Sequence, residues 1–254
     1  SDNPFLMSPA YAGIGNYVKV RANGISQWVG IKDAPDTQSL SDDVRLGNRS
    51  GIGMVLYNDS NGETHQRGGK VSFAHHLTID RFEKNFLSLA FSFNLNQFRI
   101  NVENLDDNND LAIVGDKASS NPNIDLGFLY RKAGFYLGFN ASNLLNKDFE
   151  AFNSLYEPNI LRNYNLYLGN TFRKHPRNKF EFEPSAYIQF FESDKRSSTD
   201  LNAKFRWYNH PGFSDNSYLG ITARFLNDQL GKPLYIAPIL GIKTGASILE
   251  FRTK

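Results

Sequence analysis

Large apolar side chains fall at alternate positions along most of this chain, with small or polar residues between them. The clearest run sets Leu87, Leu89, Phe91, Phe93 and Leu95 against Ser88, Ala90, Ser92, Asn94 and Asn96. The alternation returns with Phe135, Leu137 and Phe139 against Tyr136, Gly138 and Asn140, and with Leu201, Ala203, Phe205 and Trp207 against Asn202, Lys204, Arg206 and Tyr208. Leu219, Ile221, Ala223 and Phe225 repeat it against Gly220, Thr222 and Arg224. A period of two belongs to strands whose two faces meet different surroundings, and a helical period is almost absent. Strands are therefore expected over 16–27, 37–46, 50–58, 67–79, 85–101, 123–132, 134–145, 163–174, 179–192, 198–209, 215–227 and 233–243, with a weaker one over 246–252.

An antiparallel meander places successive connections at opposite ends. Long connections at 28–36, 59–66, 102–122 and 146–162 then share one end, and short ones at 47–49, 80–84, 131–134 and 175–178 share the other. The rhythm weakens at 193–197 and 210–214. Outer-membrane barrels sort their loops in this way, whereas a soluble sandwich alternates along its strands without needing loops sorted by parity. The expected fold class is all-β: a transmembrane antiparallel up-and-down β-barrel with long extracellular loops and short periplasmic turns. It forms one domain over 1–254, with 1–15 as an N-terminal periplasmic or lumenal segment. Single-chain bacterial barrels have even strand numbers. The odd thirteenth strand thus points to fourteen in the complete protein, with twelve strands and an extra C-terminal segment as the alternative.

This fold assigns faces. Phe91 belongs to lipid and Ser92 to the interior, and Tyr136, Tyr167, Tyr187 and Tyr208 point inward, where they help fill a lumen. Tyr17, Trp28, Phe82, Phe86, Tyr130, Phe135, Tyr164, Phe172, Phe180 and Trp207 stand near strand ends, the height of the aromatic girdles.

Composition narrows the function. A spanning helix needs roughly 20 apolar residues in succession, and the most apolar run, 234–242, is broken by Pro238 and Gly241. A net charge of +2 carries no nucleic-acid footprint. The absence of Cys removes disulfides, thiolate metal sites and Cys nucleophiles together.

The candidate chemistry is thin. Asp106-Asp107-Asn108-Asn109-Asp110 begins like a calcium loop but has Leu111 where the loop needs Gly and Lys117 where it needs Glu, so it reads as a solvated acidic loop. Asp59, Asn61 and Glu63 form a looser cluster of the same kind. Adjacent His75 and His76 point to opposite faces of a strand and cannot chelate one ion from the same face. Glu181 and Glu183 share the polar side of one strand, opposite Lys204 and Arg206 of the next and Arg224 beyond. Carboxylates with cations so near are expected to form a charge ladder in the lumen rather than an acid–base pair. No catalytic, cofactor-binding or metal-binding constellation is expected, and the chain is read as not an enzyme.

The connection 146–162 exceeds the about two to five residues needed to reverse direction. Its Phe149, Phe152, Leu155, Tyr156, Ile160 and Leu161 form a candidate partner-contact surface, or equally a plug folded inward.

Near the N terminus, Ser8-Pro9-Ala10-Tyr11-Ala12-Gly13 resembles the "NPAYAG" signature of the PorP/SprF family, outer-membrane proteins of the Bacteroidota type IX secretion and gliding machinery; its first Asn is Ser8 here. Gln27-Trp28-Val29-Gly30-Ile31 with Ala34-Pro35 and Thr37, then Ser39 with Asp42 or Asp43, and Gly51-Ile52-Gly53 leading to Tyr57-Asn58-Asp59 are similar to the family in order and spacing. Gly68 and the strand Val71–Leu77 follow, so the likeness spans about the first hundred residues. The ending Phe251-Arg252-Thr253-Lys254 departs from the terminal aromatic usual in outer-membrane barrels. The resemblance implies a non-enzymatic accessory component of type IX protein secretion in the bacterial outer membrane. Such a component supports export, surface anchoring or coupling of cargo and translocon to periplasmic components. The implied partners are outer-membrane lipid, the translocon, a periplasmic ring or lipoprotein, and a cargo C-terminal domain. The alternative is a passive or substrate-specific pore, biased toward anions by Lys19, Arg21, Lys204, Arg206 and Arg224.

Overall fold

The computed structural model describes residues 3–15, 17–26, 34–80, 85–100, 117–145, 162–175, 177–208, 216–228, 231–244 and 247–252. Among the described residues a short helix α1 (Pro4–Met7) and a 3-10 turn (Pro9–Tyr11) precede thirteen strands. These are β1 (Lys19–Ser26), β2 (Asp36–Leu46), β3 (Ser50–Asn61), β4 (Thr64–Asp80), β5 (Asn85–Ile100), β6 (Lys117–Lys132) and β7 (Phe135–Ser142). They continue as β8 (Asn163–Asn170), β9 (Phe180–Phe191), β10 (Ser197–Tyr208), β11 (Asn216–Leu226), β12 (Pro233–Thr244) and β13 (Ser247–Arg252). Every expected strand is present, and the strands form one sheet in sequence order with antiparallel neighbours throughout.

One connection expected to be long is short. β3 runs on to Asn61 and β4 starts at Thr64, because Asn61-Gly62 supplies a tight hairpin turn with Gly62 at φ 58°. One expected to be tight is long. β8 stops at Asn170 and β9 starts at Phe180, with a lone bridge between Phe172 and Phe182 beyond the paired region. Connections 47–49, 81–84, 133–134, 171–179, 209–215 and 245–246 leave from one rim, here the Gly47 rim. Those at 27–35, 62–63, 101–116, 143–162, 192–196 and 227–232 leave from the other, the Gly62 rim. The longest two therefore do lie at the end expected to carry long loops.

The alternation sorts side chains as the sequence implies. Phe91 is 54 % exposed on the outer face while Ser92 is fully buried on the inner one. Leu89, Phe93, Leu95, Leu126, Phe139, Leu201, Phe205, Leu219 and Ile221 also lie exposed outside. Tyr136, Tyr167, Tyr187 and Tyr208 turn inward. Phe86, expected in an outer girdle, packs inward edge-on to His76, because it shares the face of Ser88 and Ala90. Trp28 and Phe82 lie outside the described residues.

The sheet is strongly curled. Asn3 bonds Ser41 on β2 at 2.8 Å, while Pro4, next in sequence, shares a cavity wall with Ile239 of β12. In a flat sheet those strands would lie about 48 Å apart, at about 4.8 Å per strand.

Candidate functional site

The site is the N-terminal segment and the inner wall that receives it. Pro4 and Pro9 each open a short helical turn, where a missing N–H costs nothing and φ is already set. Ser8 between them is extended, and its hydroxyl accepts the N–H of Ala10 at 3.3 Å. Serine and asparagine serve alike as N-caps, so Ser8 performs locally what an Asn would do there.

Beneath the segment lies a row of small residues in register across four strands: Gly51 pairs with Ala74, Ala74 with Ala90, and Ala90 with Gly127. This row leaves room for backbone to lie against backbone. A Cβ on Gly51 would collide with Ala12, one on Gly13 with Gly51, and one on Gly127 with Ser8 and Pro9. Ala10 and Ala12 are fully buried, and Phe5 fills the space above Gly53. Four signature positions thus have a packing reason: Pro9 and Gly13 shape the turn and Ala10 and Ala12 fit the row. Tyr11 reaches the far side, its ring 5.7 Å from that of Tyr167. Burial there pushes its hydroxyl far above the ordinary value, so it remains neutral. Gln27 and Trp28, the remaining signature residues, lie outside the described residues.

Polar groups latch the segment. The buried Asp43 carboxylate accepts the Gly13 N–H at 3.0 Å and pairs with Lys19 at 3.1 Å and Arg21 at 2.8 Å. Lys19 also donates to the Ile14 carbonyl. His76, buried as His75 on the other face is not, bridges Ser88 Oγ at 2.6 Å and the Ala12 carbonyl at 2.9 Å. Lys19 and Arg21, expected as interior cations that bias passage, are both paired with Asp43. Asp43 was visible only as one of two acids in a family-like spacing.

The charge ladder forms in part. Arg206 bonds Glu181 at 2.6 Å and Glu183 at 2.5 Å, and Tyr136 and Tyr208 donate to the same two carboxylates at 2.9 and 3.0 Å. Lys204 lies opposite Glu183 in register, its ammonium 4.5 Å from the centre of the Tyr218 ring. Arg224 does not join them. It makes a two-point pair with Asp200, its register partner, at 2.6 Å, because cross-strand neighbours lie nearer than residues two strands away. Another cluster, unforeseen, ties Lys70 to Asp125 at 2.8 Å and Asn94 to the same carboxylate at 2.8 Å.

Asp125 and Asn123 also hold the stem of the longest connection. The Asn143 N–H meets Asp125 at 3.0 Å and the Leu145 N–H meets Asn123 at 2.8 Å. Both acceptors are buried on the inner face, so residues 143–145 fold in against β6 there. Phe149, Phe152, Leu155, Tyr156, Ile160 and Leu161 lie outside the described residues, as does the acidic run 106–110. Asp59 accepts from Thr37 across the β2–β3 pair, at the Gly62 rim.

Between the segment and β6 to β12 a cavity of about 300 Å³ remains, lined by Met7, Tyr11, Arg131, Glu183, Lys204 and Arg206 among others. An apolar outer face, a polar inner wall and a segment packed within it are the marks of an all-β, up-and-down membrane protein. The chain belongs to the family of type IX secretion system membrane proteins PorP/SprF, whose model matches residues 1–249. No curated protein and no solved structure matches it.

Proposed function

We propose that the sheet closes by joining its ends into an outer-membrane barrel. In this reading the barrel is a non-enzymatic accessory component of type IX protein secretion, supporting export, surface anchoring or coupling of cargo and translocon to periplasmic components. Lipid covers the outer face, the Gly62 rim with its longest connections faces outward, and the Gly47 rim faces the periplasm. Partners are the translocon, a periplasmic ring or lipoprotein, and a cargo C-terminal domain. One observation supports a platform over a pore: the interior is occupied by the chain's own N-terminal segment, latched by Asp43 and His76.

The test has two arms. Replacing 146–162 with a short Gly-containing turn should leave membrane insertion intact and impair cargo secretion or surface retention. The intact protein in planar bilayers should show no conductance of porin size. Normal secretion by the variant removes that connection from the mechanism, and stable porin-sized conductance by the intact protein establishes the pore instead.

A further inference from the structure

β2 carries two adjacent carboxylates, and alternation along the strand sends them to opposite faces. Asp43 turns inward, where Lys19, Arg21 and the Gly13 N–H meet it. Asp42 therefore lies on the outer face, half-buried among its neighbours. Its register partners are Val20 on β1 and Met54 on β3, and Leu40 and Val44 flank it along β2. Val20, Met54 and Leu40 are exposed on that same face. The row continues from Met54 to Val71, Phe93 and Ile124, so Asp42 stands inside the apolar band and not at a rim. Among the described residues it has no hydrogen-bond or ion-pair partner. The outer face of β1 to β3 holds no Lys or Arg either. Beside Asp42 the outward side chains of β1 become small. Ala22, Gly24 and Ser26 follow Val20, and a Cβ on Gly24 would meet nothing within 4 Å.

A carboxylate among lipid chains is costly, and ionisable groups at that depth pair with one another or face a protein neighbour. No described residue on this face supplies the cation, so it comes from another molecule. We propose that the outer face of β1 and β2 is a contact surface for a second membrane-embedded protein, one whose own lipid-facing side presents a Lys or Arg level with Asp42. Small residues let such a neighbour approach the strand closely. Val20, Leu40 and Met54 then surround the ion pair with apolar side chains. A second copy of this chain does not fit, because a two-fold contact on this face sets carboxylate against carboxylate. The inference rests on the membrane-spanning reading and adds to it a lateral partner and the face that meets it.

The test has a purified arm and a native arm, both on the full chain. In vesicles of phosphatidylethanolamine and phosphatidylglycerol, where the chain is alone, Asp42→Leu should raise the urea midpoint of the folded form, since the carboxylate there meets only lipid. In the native outer membrane, a benzophenone side chain placed at Leu40 should crosslink under light to one membrane protein, at a segment that carries a Lys or Arg. Asp42→Leu and Asp42→Asn should each cut that yield about tenfold. Asp42→Lys, combined with Asp in place of the mapped cation of the partner, should restore it. Several results overturn the contact while leaving the barrel standing: an unchanged yield in both variants, no recovery on charge exchange, crosslinks only to lipid or to a second copy, or a midpoint for purified Asp42→Leu no higher than that of the wild type. Failure of the wild type to fold into the vesicles overturns the membrane-spanning reading and the contact with it.

Discussion

At the scale of single residues, burial separates two kinds of polar position. Asp43 is 1 % exposed and answers two cations and a backbone N–H, so Asp43→Ala leaves Lys19 and Arg21 part-buried without their anion. Breaking such a pair costs about 3–5 kcal/mol. The expected result is a matching fall in the urea midpoint of the folded form in lipid, and early proteolysis at the N terminus. Phe91→Arg places a charge at mid-strand on the apolar outer face, which the proposed barrel gives to lipid, and should cost about 2–4 kcal/mol of folding stability measured in lipid. Ser92→Arg is different in kind. Ser92 is fully buried and bonded to Ser72 at 2.8 Å, on the wall that receives the segment. An arginine there should still insert into lipid but expel the segment, seen as protease access to residues 1–15 without loss of the barrel band on a gel.

At the scale of elements, the segment and its socket are a backbone-to-backbone fit. A Cβ on Gly127 would stand 2.9 Å from the Pro9 ring and 3.0 Å from Ser8 Oγ. Gly127→Val should therefore push the segment off its row, read as protease access to residues 1–15 in a folded chain. Unchanged protection of those residues would mean that the segment does not dock there. The strands use a related device. Tyr57 lies over Gly68, Tyr136 over Gly169, Tyr167 over Gly138 and Tyr218 over Gly241, each tyrosine opposite its glycine in register. A ring over a bare glycine on the next strand covers backbone and narrows the interior. Gly138→Val should thus force Tyr167 aside and lower stability by about 1–3 kcal/mol, the usual cost of overpacking.

At the scale of the whole molecule, the chain's own N-terminal segment packs into the interior of the curled sheet. Removing residues 3–13 takes away the group that Asp43, His76 and the small-residue row enclose. The shortened chain should conduct in planar bilayers where the intact one does not. An equally silent bilayer with a folded, shortened chain would show that side chains such as Tyr136, Tyr167 and Arg206 close the interior without the segment.

The strands, their faces and their order were legible in the sequence, because alternation with a period of two is a local property that each strand carries in its own residues. The expected strands at 85–101 and 198–209 match β5 and β10 within a residue or so at each end. The N-terminal signature was legible as a pattern and silent about its place. Nothing local says that Gly13 rests on Gly51, Ser8 on Gly127 and Tyr11 near Tyr167, since those partners are brought together only when many strands curl round one interior. Salt-bridge partners divided in the same way. Arg206 with Glu181 and Glu183 could be read across one hairpin, whereas Lys70 with Asp125 required the register of three strands, and only the tertiary structure sets that.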